Sequence, residues 1–116
     1  MIKSTKFRIA HIDDDPIILD LAKMILEQND QFEVISYNTA EEFLSHIEER
    51  GKPDLIIVDY FLNSKIPSAM DGSKLLEIFR KNNDQIAAIV ISSQSDVDIA
   101  LDLIQLSVAD YIEKTD

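Results

Sequence analysis

The sequence predicts an α/β fold built on a parallel sheet, and three observations carry that prediction. Short apolar runs alternate with segments of helical period, the pattern of successive βα units. Helix-start signals stand between the runs: Asp15-Pro16, Thr39 with Glu42, Asp71-Gly72 and Ser95 with Asp98. The run Leu55, Ile56, Ile57, Val58 is uninterrupted, as expected of a central strand covered on both faces.

Taken in order, Phe7–Ile12 is the first strand, and Asp15 caps a helix whose first position is Pro16, with Ile18, Leu21, Ala22 and Ile25 on one face. Phe32–Tyr37 is the second strand. Thr39 and Glu42 have capping-box spacing and open a helix through Phe43, Leu44 and Ile47 to about Glu49, which Gly51-Lys52-Pro53 ends. Residues 54–59 form the third strand, residues 60–70 a loop, and Asp71-Gly72 starts a helix with Leu75, Leu76, Ile78 and Phe79. Residues 87–91 are the fourth strand, Ser95 and Asp98 cap a helix with Ile99, Ala100, Leu103 and Ile104, and Asp110–Glu113 is the fifth strand.

The 116 residues make one domain, with no internal repeat and no boundary. Hydrophobic residues at 46% and charged residues at 28%, with only 2 glycines and 3 prolines, describe a chain that folds throughout. Without cysteine there is no disulfide framework and no thiolate zinc site, which agrees with a cytoplasmic setting. The apolar runs are too short to span a bilayer, and no signal-peptide pattern opens the chain. A formal net charge of -11 disfavours direct contact with nucleic acid or anionic membranes.

In an open parallel sheet, functional groups gather beyond the carboxyl ends of the strands. There the sequence puts Asp13, Asp14 and Asp15 after strand one, Asp59 at the end of strand three, Ser92 and Ser93 after strand four, and Lys114 after strand five. Two carboxylates about 4 Å apart repel by roughly 4 kcal/mol at an effective dielectric of about 20. A hard cation such as Mg²⁺ offsets that, takes carboxylate and carbonyl oxygens, and keeps positions for phosphate. Acids, a hydroxyl and an ammonium so arranged suit phosphoryl transfer, with a carboxylate able to act as the nucleophile.

Five stretches in order, HIDDDP, LIIVD, MDG, IVISS and DYIEK, resemble the receiver domains of two-component response regulators over nearly the whole chain. The resemblance implies a flavodoxin-like five-stranded sheet of order 2-1-3-4-5. It implies that Asp59 is the phosphoacceptor and that Asp13, Asp14 and Asp59, with the Phe61 backbone carbonyl, bind Mg²⁺. Ser92 would bond a phosphoryl oxygen, Lys114 would pair with the same group, and the Tyr111 ring would turn inward as the Ser92 hydroxyl moves. The donor would be a phosphohistidine on a sensor kinase or phosphotransfer protein. Such a domain signals by switching conformation, and catalyses only its own phosphorylation and dephosphorylation.

Several residues depart from the family pattern. Residues 60–70 are several positions longer, and a flap beside the phosphoryl pocket is expected there. Phe61 and Gln94 occupy positions that tune dephosphorylation, and the bulk of Phe61 is expected to hinder a water. Thr115 follows Lys114 where the family has proline, and Ser107-Val108 stand for a glycine-alanine pair. No sequence remains after Asp116 for a fifth helix, so a truncated domain, or a sheet face covered by another chain in a dimer or oligomer, is expected.

Two other readings fit some of these residues. A Mg²⁺ phosphatase of the haloacid dehalogenase type would use Asp13 as nucleophile and Asp15 as acid/base, but Pro16 stands where a glycine is expected and Asp59 has no task. A receiver-like interaction module that is never phosphorylated would not need Asp59, Ser92 and Lys114 together. His11 is expected to be a core histidine and His46 a helix-surface residue, neither with a companion at metal-ligand spacing.

Overall fold

The computed structural model describes residues 6–62, 69–81, 86–92 and 110–113, the last segment by its backbone and the Ile112 side chain. Strands β1 (Phe7–Ile12), β2 (Phe32–Tyr37), β3 (Leu55–Asp59), β4 (Ala87–Ser92) and β5 (Asp110–Glu113) form one parallel sheet in the order β2-β1-β3-β4-β5. Helices α1 (Pro16–Leu26), α2 (Ala40–Arg50) and α3 (Gly72–Arg80) connect them. This is the predicted flavodoxin-like order with β3 at the centre. The helix expected over residues 95–104 lies outside the described residues, as do Ser93, Gln94, Lys114 and residues 63–68.

The caps are those the sequence implies. Asp15 Oδ1 accepts the Ile17 N–H at 2.9 Å, Thr39 Oγ1 accepts the Glu42 N–H at 3.1 Å, and Asp71 Oδ1 accepts the Lys74 N–H at 2.9 Å. Each satisfies one of the amide groups that a helix start leaves without an intrahelical partner.

On one sheet face Ala10, Ile12, Tyr37, Ile56, Val58, Ala88 and Val90 pack against Phe43 of α2 and Leu75, Leu76 and Phe79 of α3. The rings form a connected series: Tyr37 meets Phe43 edge-on at 5.4 Å, and Phe43 meets Phe79 at 5.7 Å. Fully buried aromatic rings are worth several kcal/mol each, on the order of 3–5 by truncation to alanine, so this face fixes how α2 and α3 seat on the sheet. His46, expected at the helix surface, is instead half-buried with its ring edge-on to Tyr37 at 5.4 Å. One turn beyond Phe43 on α2, it falls on the edge of the aromatic face.

The opposite sheet face corrects the expectation that β3 is covered on both sides. Ile56 and Val58 are fully buried, whereas Leu55 and Ile57, with Ile89 and Ile91 of β4, are half-buried, and Ile112 of β5 is exposed. The register sets Ile57 beside Ile89 and Ile91 beside Ile112, making one aliphatic row. Among the described elements helix α1 packs chiefly over β2. Its buried side is centred on Leu19, and Leu21 and Ile25, which their spacing sets on one apolar face, are 47% and 62% exposed.

Helix α1 also closes the edge of the sheet. Glu27 Oε2 accepts the Val34 N–H at 2.9 Å, and Lys23 Nζ donates to the Val34 carbonyl at 2.6 Å. The outward amide and carbonyl of an edge strand are thereby taken, which blocks strand addition there. The Val34 N–H holds the Glu27 carboxyl below its ordinary range; partial burial opposes this, and Lys23, 3.3 Å away, reinforces it.

Candidate functional site

Strand order reverses between β1 and β3, because the chain goes from β1 outward to β2 and then returns to the other side of β1. The crevice at such a reversal opens at the carboxyl ends of the two strands. Asp13 and Asp14 follow β1, and Asp59 ends β3. One carboxylate oxygen from each of the three lies within 4.8 Å of the other two. Asp13 is 0% and Asp59 6% exposed, while Asp14 is half-buried.

The backbone explains why the three converge. The Asp13 N–H donates to the Tyr37 carbonyl at 3.1 Å, carrying the β1–β2 ladder one residue past the strand. Asp13 Oδ1 accepts the Asp15 N–H at 2.9 Å, which turns the chain into α1 and aims Asp14 at the same corner. Asp15 itself points away, its side chain spent on the helix cap. On β3, Asp59 Oδ1 accepts the Phe61 N–H at 3.2 Å and the Tyr60 N–H donates to the Ile91 carbonyl at 3.0 Å, so the turn after the strand is fixed from both sides.

Ser92 ends β4 fully buried, one position beyond Ile91, the register partner of Asp59. It therefore stands at the same end of the sheet, on the strand next to that of Asp59. Phe61 is half-buried against the core beside Tyr60, their rings edge-on at 4.9 Å. Tyr111 belongs to β5 by its backbone. His11 is 1% exposed in β1, as a core histidine should be, and takes no part in the cluster.

Two features of the site had no signal in the sequence. Leu62, beyond the end of β3, is buried in the core. Gly72, read only as part of a helix start, is in close contact with the β3 end: a Cβ there would lie 2.1 Å from the Asp59 carbonyl oxygen and 2.9 Å from Tyr60 Cα.

Among the described residues the donors gathered here are carboxylate oxygens, which fit a divalent ion of the Mg²⁺ type. Three carboxylates within 4.8 Å carry a mutual repulsion of roughly 3–4 kcal/mol per pair at an effective dielectric of about 20. A cation relieves it.

Comparison with known proteins agrees with this arrangement. Residues 9–116 match the family model described as the response regulator receiver domain. The chain belongs to that family, and is a receiver domain of the two-component response regulators, a signalling module. It is 29% identical to the transcriptional regulatory protein MalR of Bacillus subtilis over 89% of this chain and 42% of that protein. It is 30% identical to the nitrogen assimilation regulatory protein NtrX of Azorhizobium caulinodans over 89% of this chain and 22% of that protein. The chain thus spans less than half the length of these relatives. A CheY-like response regulator receiver domain from Methanospirillum hungatei superposes with a TM-score of 0.81 at 32% identity, over 97% of this chain and 84% of the other. Among the described residues no helix is long and apolar enough to cross a membrane.

Proposed function

We infer that this domain accepts a phosphoryl group on Asp59 from a phosphohistidine donor and relays the event by changing conformation. The observation that carries the reading is the convergence of Asp13, Asp14 and Asp59 at the strand-order reversal, with Ser92 on the next strand. An Asp59 carboxylate oxygen attacks phosphorus as the P–N bond to the donor imidazole breaks, giving an aspartyl-phosphate. Asp13, Asp14, Asp59 and the Phe61 backbone carbonyl would hold Mg²⁺. When bound, the ion supplies positive charge against the phosphoryl oxygens.

The chain's own groups do the positioning. The Phe61 N–H sets the rotation of the Asp59 carboxylate, and the Asp15 N–H that of Asp13. The Ser92 hydroxyl bonds a phosphoryl oxygen and Lys114 pairs with the same group. That movement of Ser92 is passed to Tyr111 on β5. Phe61 presents an apolar ring beside the acceptor and slows attack by water on the product. The donor is a sensor kinase or a histidine phosphotransfer protein, met in the cytoplasm. The phosphatase alternative has no support in the geometry, since its acid/base Asp15 is committed to capping α1.

Acetyl phosphate with Mg²⁺ is expected to add one phosphoryl group to the wild-type chain, read by intact mass, and none to Asp59→Asn. A label that persists in Asp59→Asn, or steady phosphate release abolished by Asp13→Asn alone, would overturn the assignment.

The half-buried row on β3 and β4 with the exposed Ile112 makes an apolar surface of the kind that marks an interface. A second copy of this chain covers it. Sedimentation at micromolar concentration is expected to show a dimer, and a monomer that binds no apolar dye would contradict this.

A further inference from the structure

Glu41 lies in the first turn of α2, exposed and outside the Asp13–Asp14–Asp59 cluster. Its Oε2 nevertheless accepts the backbone N–H of Met70 at 3.0 Å, across 29 positions of sequence. Met70 is half-buried against the core and stands just before the α3 cap. Two residues on, the Gly72 N–H donates to the Tyr60 carbonyl at 2.9 Å, and Gly72 touches the Asp59 backbone. The Phe61 N–H in turn bonds Asp59 Oδ1. A continuous run of contacts therefore leads from α2 through Met70, Gly72 and Tyr60 to the turn that carries Phe61 and the Asp59 carboxylate.

A carboxylate in the first turn of a helix already interacts favourably with the helix dipole without leaving its own backbone. Glu41 reaches instead to an amide on the far side of a long connection. The bond is charge-assisted and so stronger than a neutral one. It lies just ahead of the Asp71 cap of α3, on the C-terminal side of residues 63–68.

We propose that Glu41 is a positioning residue for the phosphoacceptor turn: by holding Met70 it keeps Gly72, and through it Tyr60 and Phe61, in the conformation that the Asp59 pocket requires. The proposal rests on the phosphoacceptor reading above and adds a residue from a helix that contributes no group to the pocket.

The test uses Glu41→Ala, Glu41→Gln and, as a control for charge in the same turn, Glu42→Ala. Mg²⁺ binding is measured by calorimetry and exchange of the Met70 and Phe61 amides by NMR. Glu41→Ala is expected to weaken Mg²⁺ binding by up to about tenfold, the lower end of what outer hydrogen-bond partners of a metal site contribute. Both amides should exchange faster. Glu41→Gln keeps an acceptor oxygen in a weaker, neutral bond and should fall between wild type and Glu41→Ala, whereas Glu42→Ala should stay close to wild type. If Gln and Ala weaken binding equally, or Glu42→Ala does so as much, Glu41 acts only by its charge and the proposal is wrong. Wild-type binding with every variant alike defeats this proposal alone. A wild-type chain that binds no Mg²⁺ defeats the phosphoacceptor reading and this proposal together.

Discussion

Gly72→Ala is expected to cost about 3 kcal/mol or more of unfolding free energy, a large part of the 5–15 kcal/mol typical of a domain. Two effects compete. Alanine is the better helix former by about 1 kcal/mol, which alone would make the change stabilising. Against it, the new Cβ would stand 2.1 Å from the Asp59 carbonyl oxygen and 2.9 Å from Tyr60 Cα. Both obstacles are backbone at the end of the central strand, and no rotamer change relieves them. Either α3 moves off the sheet, loosening Leu75, Leu76 and Phe79 from the core, or the β3 end moves and takes Asp59 with it. The clash wins. Urea unfolding of the two chains checks it, and a variant within about 1 kcal/mol of wild type would show that the contact yields easily.

Asp13→Asn is expected to act in opposite directions with and without metal. Its carboxylate is fully buried and shares a corner with those of Asp14 and Asp59. Asparagine keeps an Oδ1 to accept the Asp15 N–H and removes one of three mutually repelling charges. In EDTA the variant should therefore be more stable, by about 1–2 kcal/mol after screening reduces the pairwise repulsion. With Mg²⁺ present the order should reverse, because wild type gains RT ln(1 + [L]/Kd) and the variant, short of a ligand, gains little. Paired thermal melts in EDTA and in millimolar Mg²⁺ read both effects. A variant less stable than wild type in EDTA would mean that the Asp13 charge is needed by the fold itself.

Much of the site was legible because its signals are local. Asp15 before Pro16 is a cap in sequence and in structure, while Asp13 and Asp14 lie together with Asp59 at the strand ends. Asp59 at the end of an unbroken apolar run is likewise a local pattern, as is Ser92 at the end of its own. The packed face of α1 was not legible. Periodicity groups Ile18, Leu21, Ala22 and Ile25 on one stripe, but a helix that is apolar over most of its circumference has no unique buried side. Contact with β2 chose the side at Leu19.

What the sequence alone determined was the kind of element at each place and the chemistry at each strand end, since capping, periodicity and residue type act over a few positions. Only the tertiary structure decided what those ends meet. The 4.8 Å gathering of Asp13, Asp14 and Asp59, the reach of Glu41 to Met70, and the contact of Gly72 with Asp59 all join residues far apart in the chain. Such contacts are set by how parallel strands register and how α2 and α3 seat on one aromatic face, and no short stretch of sequence contains that information.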